Sequence, residues 1–505
     1  MHLQHGKRLN LHPAICLLGG VFFIYLAFSP GTVAGMGYVS EEVTAGNQLL
    51  SNAVAWMKGN SPVPIDWPRH GLLPVLFDLP FLGVGSHLPG PLNQDWVVSI
   101  EPVLFTALLV LVLFLWLRRL TSPGWSYLLT LTATFCTMLW PYAYIGLEVK
   151  QSLALMLAGY LGFSRDTKIT WSHTLLFGAS CAVAVSAKAS GTFLIPAVLF
   201  IVGHFYWRGS LGELRGQGRK LLATLAVIFT VFLSNGVVRS LFYRRYGDQG
   251  DFFGSWLVRG PTEYLLQVLG YFGSPNKGLI VYAPILLLSL LALTRMPKAH
   301  RPLTIFTLLT LCGLVGGYAL LRIYTEETWG PRYLHTAVAP LMLCIGATRS
   351  RLRAAAAAPV LVLAALGFWV SFLGTFFWYG GPHVAARDAS QSTLEAVQGD
   401  IIWNPILFDE RLFSSYSRGG PEWWMPDHTW WFERPLDAPT VRPVHLAQHA
   451  VPQPFLFRLW RAPIHGGPRR LWYFHLLCFP VGVLLVARAG WLGRNGTARL
   501  EHPTV

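Results

Sequence analysis

Charge is scarce in this chain. Only 12% of its 505 residues are Asp, Glu, Lys or Arg, against roughly 25% in an ordinary soluble domain, and that shortage excludes a water-soluble globular fold. Runs of strictly alternating apolar and polar residues are missing, which argues against a membrane barrel. Cysteine is sparse as well. Cys16, Cys136, Cys181, Cys312, Cys344 and Cys478 all fall inside apolar runs, leaving no disulfide framework and no paired spacing for a metal. No internal repeat stands out, which weakens a transporter built from two matched halves.

What the chain has in abundance is hydrocarbon. Hydrophobic residues make up 53% of it, the mean hydropathy is +0.44, and many runs approach the roughly 20 residues a helix needs to cross a bilayer. Twelve spans are predicted, near 13–30, 97–117, 125–144, 147–163, 171–187, 190–207, 221–238, 279–294, 302–321, 333–348, 357–378 and 471–488. The fold class is an all-α polytopic membrane protein. With the amino terminus inside, every inward turn is basic: Lys7/Arg8, Arg118/Arg119, Arg165/Lys168, Arg208 to Lys220, Arg295 to Arg301, Arg349 to Arg353 and Arg488/Arg494. That bias places both termini in the cytoplasm. The small residues Gly31-Thr32-Val33-Ala34 leave a cleaved signal peptide as the alternative reading of the first span. The net charge of +15 reflects this topology and attraction to anionic headgroups, not nucleic acid.

The outer face then carries three long segments, 31–96, 239–278 and 380–470, and connections of that length are usually functional. Val43, Leu50, Val54 and Met57 form one stripe over 42–58, the pattern of a helix lying in the interface. Residues 71–84 are apolar but short and broken by Pro74 and Pro80, so they are expected to dip into the membrane rather than span it. The segment 380–470 is rich in Trp, including Trp423, Trp424, Trp430 and Trp431, which reads as interface anchoring of a loop-rich cap. The acidic pair Glu41-Glu42 and the segment Trp329-Gly330-Pro331-Arg332-Tyr333-Leu334 come to this same face. Together they point to an enzyme acting on a lipid-phosphate substrate.

Four stretches, in order, resemble the GT-C class of membrane glycosyltransferases, in particular bacterial enzymes similar to dolichyl-phosphate-mannose protein mannosyltransferases (family 39-like). They are Ser40-Glu41-Glu42-Val43, Trp67 to Pro74, Ser274-Pro275-Asn276-Lys277-Gly278-Leu279 running on to Tyr282-Ala283-Pro284, and Trp329 to Leu334. The likeness covers residues 1–380 and fades beyond. It implies a GT-C-like catalytic region at 1–380, an outer cap at 381–470, and a last span with a cytoplasmic tail at 471–505. It also implies a bacterial plasma-membrane enzyme that moves a sugar from a polyprenyl-phosphate donor to a glycan, lipid or protein acceptor, with inversion. The family's acidic motif is commonly Asp-Glu where this chain has Glu-Glu, so either carboxylate can be the catalytic one.

The chemistry asks for a base near the acceptor and cations near the departing phosphate. Glu41 or Glu42 supplies the base, unless Ser40-Glu41-Glu42 merely caps the following helix. Arg332, Lys277 and Lys188 are outer-side cations at the entries and turns of spans, suited to phosphate. Arg244 and Arg245 are further candidates, with snorkelling to headgroups as the competing reading. His70 is a candidate for orienting the acceptor or for a structural hydrogen bond. Glu148, at the start of a span, either faces the carrier cavity or pairs with a neighbouring cation. Glu326 and Glu327 either reach the acceptor or pair with Arg322. Asp66, Asp78 and Asp95 read as solvated loop carboxylates. The sequence names no cofactor, though a divalent metal is compatible with it. A cell-envelope polysaccharide polymerase or ligase, or a lipid-linked sugar flippase, remains as an alternative. Against the flippase stands the clustering of ionisable residues at one face.

Overall fold

The computed structural model describes residues 11–29, 39–66, 68, 70–88, 94–144, 146–164, 169–207, 217–245, 258, 260–275, 277–321, 330–348, 357–376, 406 and 469–501. The described chain is helical in this order: α1 Leu11–Phe28, α2 Val39–Met57, α3 Leu72–His87, α4 Gln94–Leu120, α5 Pro123–Phe135, α6 Gly146–Gly162, α7 Trp171–Ser186 and α8 Ile195–Tyr206. There follow α9 Gly218–Arg245, α10 Pro261–Gly273, α11 Leu279–Tyr282, α12 Leu286–Thr294, α13 Arg301–Leu320, α14 His335–Thr348, α15 Ala357–Phe376 and α16 Arg469–Glu501. Each of the twelve expected spans falls on one or more of these helices. Among the described residues, six helices are long and apolar enough to cross a membrane by themselves, and they mark an integral membrane protein. Short 3-10 turns occur at Pro141–Tyr144, at Ala189–Leu194 leading into α8, and at Arg332–Leu334 leading into α14.

The core is arranged around α14. Every one of its residues from His335 to Thr348 is buried, so a helix that reads as uniformly apolar has neighbours on all sides. Helices α4, α5, α6, α12 and α13 surround it. By contrast α9 and α16 present long apolar faces outward, with Leu222, Phe229, Val237, Leu477 and Leu484 exposed, as lipid-facing surfaces require. Helices α1 and α16 bring the two ends of the chain together. A Cβ at Gly20 would lie 2.9 Å from the Gly482 carbonyl oxygen, a close backbone crossing typical of small residues in membrane helices. His475 of α16 locks this corner: its Nδ1 is 2.7 Å from the Leu26 carbonyl, and it accepts at Nε2 from Trp96 Nε1 of α4 (3.1 Å).

Two expectations for the first outer segment change. Residues 72–87 form one unbroken helix, α3, although Pro74 and Pro80 both lie in it. Pro74 sits in the first turn, where no intrahelical donor is needed. At 16 residues the helix is still shorter than a span. Helix α2 already contains Val39 and Ser40, so Ser40 lies inside the helix and is not its N-cap. Most of the 380–470 cap lies outside the described residues, as do Arg322, Glu326, Glu327 and Trp329. The six cysteines are all free.

Candidate functional site

The first turn of α6 holds the densest buried chemistry in the described chain. Glu148, 2% exposed, accepts at Oε1 from Arg332 Nε (2.8 Å) and at Oε2 from Arg332 Nη2 (3.3 Å). The same Oε1 takes Lys188 Nζ at 2.6 Å. One carboxylate thus holds two cations, and the triad carries one net positive charge. Its position in the first turn of α6 also suits the helix dipole. The two cations reach it from different elements. Lys188 stands in the turn between α7 and the 3-10 segment Ala189–Leu194, and Arg332 opens the 3-10 turn before α14.

An aromatic wall backs this triad. Lys188 Nζ lies 4.3 Å from the centre of the Tyr333 ring, a cation–π distance. Tyr333 stacks on Tyr318 at 4.3 Å, and the Tyr318 hydroxyl donates to Ser190 Oγ. The approach to Arg332 is set by backbone. Gly330 has φ +56°, a left-handed conformation that favours glycine, and a Cβ there would collide with the buried Tyr282 ring. That contact joins the Ser274–Pro284 stretch to the Trp329–Leu334 stretch, which are far apart in sequence. Behind Glu148, Ser152 donates to the Glu148 carbonyl (2.7 Å) and lies 2.8 Å from His335 Nδ1 and 3.0 Å from Thr336 Oγ1. Gln151 donates to the Ala184 carbonyl at 3.1 Å.

Two residues further along α6 the charge pattern inverts. Lys150 Nζ is 2.8 Å from Asp78 Oδ1 of α3 and 3.1 Å from Glu101 Oε1 of α4. All three side chains are 2–4% exposed. One cation here holds two carboxylates. Gly146 leaves room for the cluster, since a Cβ there would sit 3.2 Å from Glu101 Oε2 and 3.4 Å from Lys150 Nζ.

A third polar joint lies toward the C-terminal end of α9. Asn235 donates to the Ser186 carbonyl (2.6 Å) and the His70 carbonyl (3.2 Å), and accepts from the Leu73 backbone N–H (3.0 Å). Arg239, one turn on, donates to the same two carbonyls at 2.7 and 3.1 Å. Gly71, between His70 and α3, has φ +92°, and a Cβ there would strike the Asn235 side chain.

Of the residues singled out from the sequence, the structure joins Glu148, Lys188 and Arg332 directly. Glu148 pairs with both cations. Glu42, His70 and Lys277 are buried, at 2, 7 and 2% exposure. Glu41 lies in α2, and Arg244 and Arg245 at the end of α9, but their side chains are outside the described residues. Asp78 corrects an expectation: it is buried in an ion pair because α3 is a helix packed on α4, not a solvated loop. Asp66 is half-buried and accepts from Gln48 Nε2 at 2.8 Å. Asp95 lies outside the described side chains. Glu101, Asn235 and Arg239 were missed. An ionisable or amide residue in an apolar span was the available signal for Glu101 and Asn235. Nothing in the sequence ties Arg239 to residue 70 or 186. Among the described residues, no group of three or more His, Cys, Asp or Glu converges as a metal set.

No protein-family model matches the chain, and no curated protein does. Among solved structures it is similar to the cryo-EM structure of the arabinosyltransferase EmbB from Mycobacterium smegmatis, at 12% sequence identity and a TM-score of 0.41. The alignment covers 98% of this chain and 44% of that one. The chain therefore spans less than half the length of that protein.

Proposed function

We propose that the protein is a GT-C-like glycosyltransferase of the plasma membrane. It moves a sugar from a polyprenyl-phosphate carrier to a hydroxyl acceptor on a glycan, lipid or protein at the outer face, with inversion. The observation that carries this reading is the Arg332–Glu148–Lys188 triad. Two cations share one carboxylate, and all three side chains are almost wholly buried. A phosphodiester is an anion of the kind that a guanidinium and an ammonium recognise together.

In this reading the acceptor oxygen attacks the anomeric carbon from the face opposite the phosphate. The bond from that carbon to the phosphate oxygen breaks, and its electron pair leaves with the carrier phosphate. Arg332 and Lys188 stabilise the charge as it develops, which accelerates the step because the interaction is strongest in the transition state. The acceptor proton passes to Glu42 or Glu41. Lys277, His70, Arg244 and Arg245 are assigned to the substrate-binding surround, and a divalent metal remains compatible.

The described buried charges support transfer over flipping. Glu148, Lys188, Arg332, Lys150, Asp78 and Glu101 gather around the first turns of α6, whereas a flippase needs a charged path through the bilayer. The test is label transfer from a radiolabelled polyprenyl-phosphate sugar by the purified protein in liposomes. Transfer supports the reading; movement of intact donor between leaflets without transfer overturns it. Orientation has its own check. A cysteine at Ser390 should react with an impermeant thiol reagent in intact cells and one at Ser210 should not, and the reverse pattern would invert the topology.

A further inference from the structure

Helix α9 packs mainly on α7 and shows lipid most of its surface, yet it carries two polar side chains inward one turn apart. Asn235 and Arg239 each donate to the same two carbonyls, those of His70 and Ser186. Neither carbonyl is an arbitrary acceptor. Ser186 ends α7, where carbonyls lack intrahelical partners, and it stands two residues before Lys188. His70 stands just before Gly71 and α3, and the early N–H of α3, on Leu73, is taken up by Asn235 Oδ1.

One amide therefore caps the end of α7 and the start of α3 together, and one guanidinium doubles both carbonyl bonds. The elements joined are the two arms that reach α6: α3 supplies Asp78 to Lys150, and the turn after α7 supplies Lys188 to Glu148. The glycine at 71 fits the same joint, because any side chain there would displace Asn235.

We propose that Asn235 and Arg239 are positioning residues that set the Lys188 ammonium against the first outer segment for phosphate binding. The inference rests on the reading of Lys188 as a phosphate contact. In this role Arg239 acts on the phosphate through the Ser186–Lys188 backbone, so most of its effect is lost when Lys188 has no ammonium to position.

The experiment is a double-mutant cycle on full-length protein in lipid nanodiscs, with a short-chain polyprenyl monophosphate as the probe and its Kd as the readout. Arg239→Ala should weaken binding on the order of tenfold, as loss of geometry in a tight polar site does. In the Lys188→Ala background the same change should cost less than about twofold, which is the coupling expected of residues acting as one unit. Equal losses in both backgrounds, with Lys188→Ala itself weakening binding, would overturn the positioning role and leave the phosphate reading intact. Wild-type affinity in Lys188→Ala would overturn the phosphate reading and this inference with it. If Arg239→Ala does not fold, Arg239→Lys carries the same cycle, since lysine keeps the charge but not the two-carbonyl fork. Asn235→Asp provides a second arm. It keeps the acceptor for Leu73 while losing both donors, and should show the same dependence on Lys188.

Discussion

Two ion clusters hang from neighbouring positions of α6 and carry opposite charge. Around Glu148 there are two cations to one carboxylate; around Lys150 there are two carboxylates to one cation. Both are buried to a similar degree, so solvent does not distinguish them. Their connections do. The Lys150 cluster joins three helices, α3, α4 and α6, side by side. The Glu148 cluster instead gathers a turn after α7 and a 3-10 entry before α14, segments held by caps and glycines. The first arrangement is suited to fixing helices, the second to presenting cations.

The contrast breaks most sharply at Arg332. Arg332→Ala keeps the Glu148–Lys188 ion pair, so the fold should survive while transfer falls about 10²- to 10⁴-fold, roughly 3–5 kcal/mol of transition-state stabilisation. Arg332→Lys keeps the charge without the fork and should retain carrier binding while losing most transfer. Rates and carrier affinity measured in one lipid preparation check both, and full activity in Arg332→Lys would move the phosphate site toward Lys277 and Lys188.

At Lys150 the loss should appear in stability. Lys150→Ala strands two buried carboxylates and should cost about 3–5 kcal/mol, seen as a lower denaturation midpoint in detergent. Replacing the whole cluster, with Asp78→Leu, Glu101→Leu and Lys150→Met together, should restore much of that stability and preserve transfer. Loss of transfer in a well-folded triple variant would show that this cluster too meets substrate.

The carboxylates of α2 sharpen the comparison from outside α6. Glu41→Gln and Glu42→Gln should differ, one abolishing transfer and the other lowering it modestly, because a general base contributes about 10²- to 10⁴-fold. Near-normal turnover in both would remove the proposed base.

The smallest effect concerns Gly330. Gly330→Ala places a Cβ against the Tyr282 ring at positive φ and should cost about 1–3 kcal/mol, with carrier binding falling as Arg332 shifts. An alanine variant with unchanged stability and binding would show that the Arg332 approach is loosely held.

Much of the architecture was readable without coordinates, for a physical reason. Backbone polar groups in hydrocarbon must be satisfied within a segment, so a long apolar run is already a helix. Among the described residues, each apolar run from 13–30 to 471–488 is helical over much of its length, and six helices are long and apolar enough to cross a membrane. The interfacial stripe of Val43, Leu50 and Val54 falls on α2, and the Lys188 turn falls between two helical segments. Arg332, Lys188 and Glu148 could be singled out because an ionisable residue in an apolar setting is expensive wherever it lies. Their mutual contact could not, since residues 148, 188 and 332 share no local pattern. Asp78 misleads because it reads with the solvated loop carboxylates, whereas it lies within a helix, α3, that packs on α4.

Composition and hydropathy alone determined that this is a helical membrane protein, because burial in lipid is a property of each segment separately. Which charges meet was decided only by tertiary structure. The pairing of Glu148 with two cations, the inverted cluster at Lys150, and the reach of Asn235 and Arg239 to residues 70 and 186 depend on how helices cross. Those crossings come from side-chain packing summed over many distant residues, which no single stretch of sequence contains.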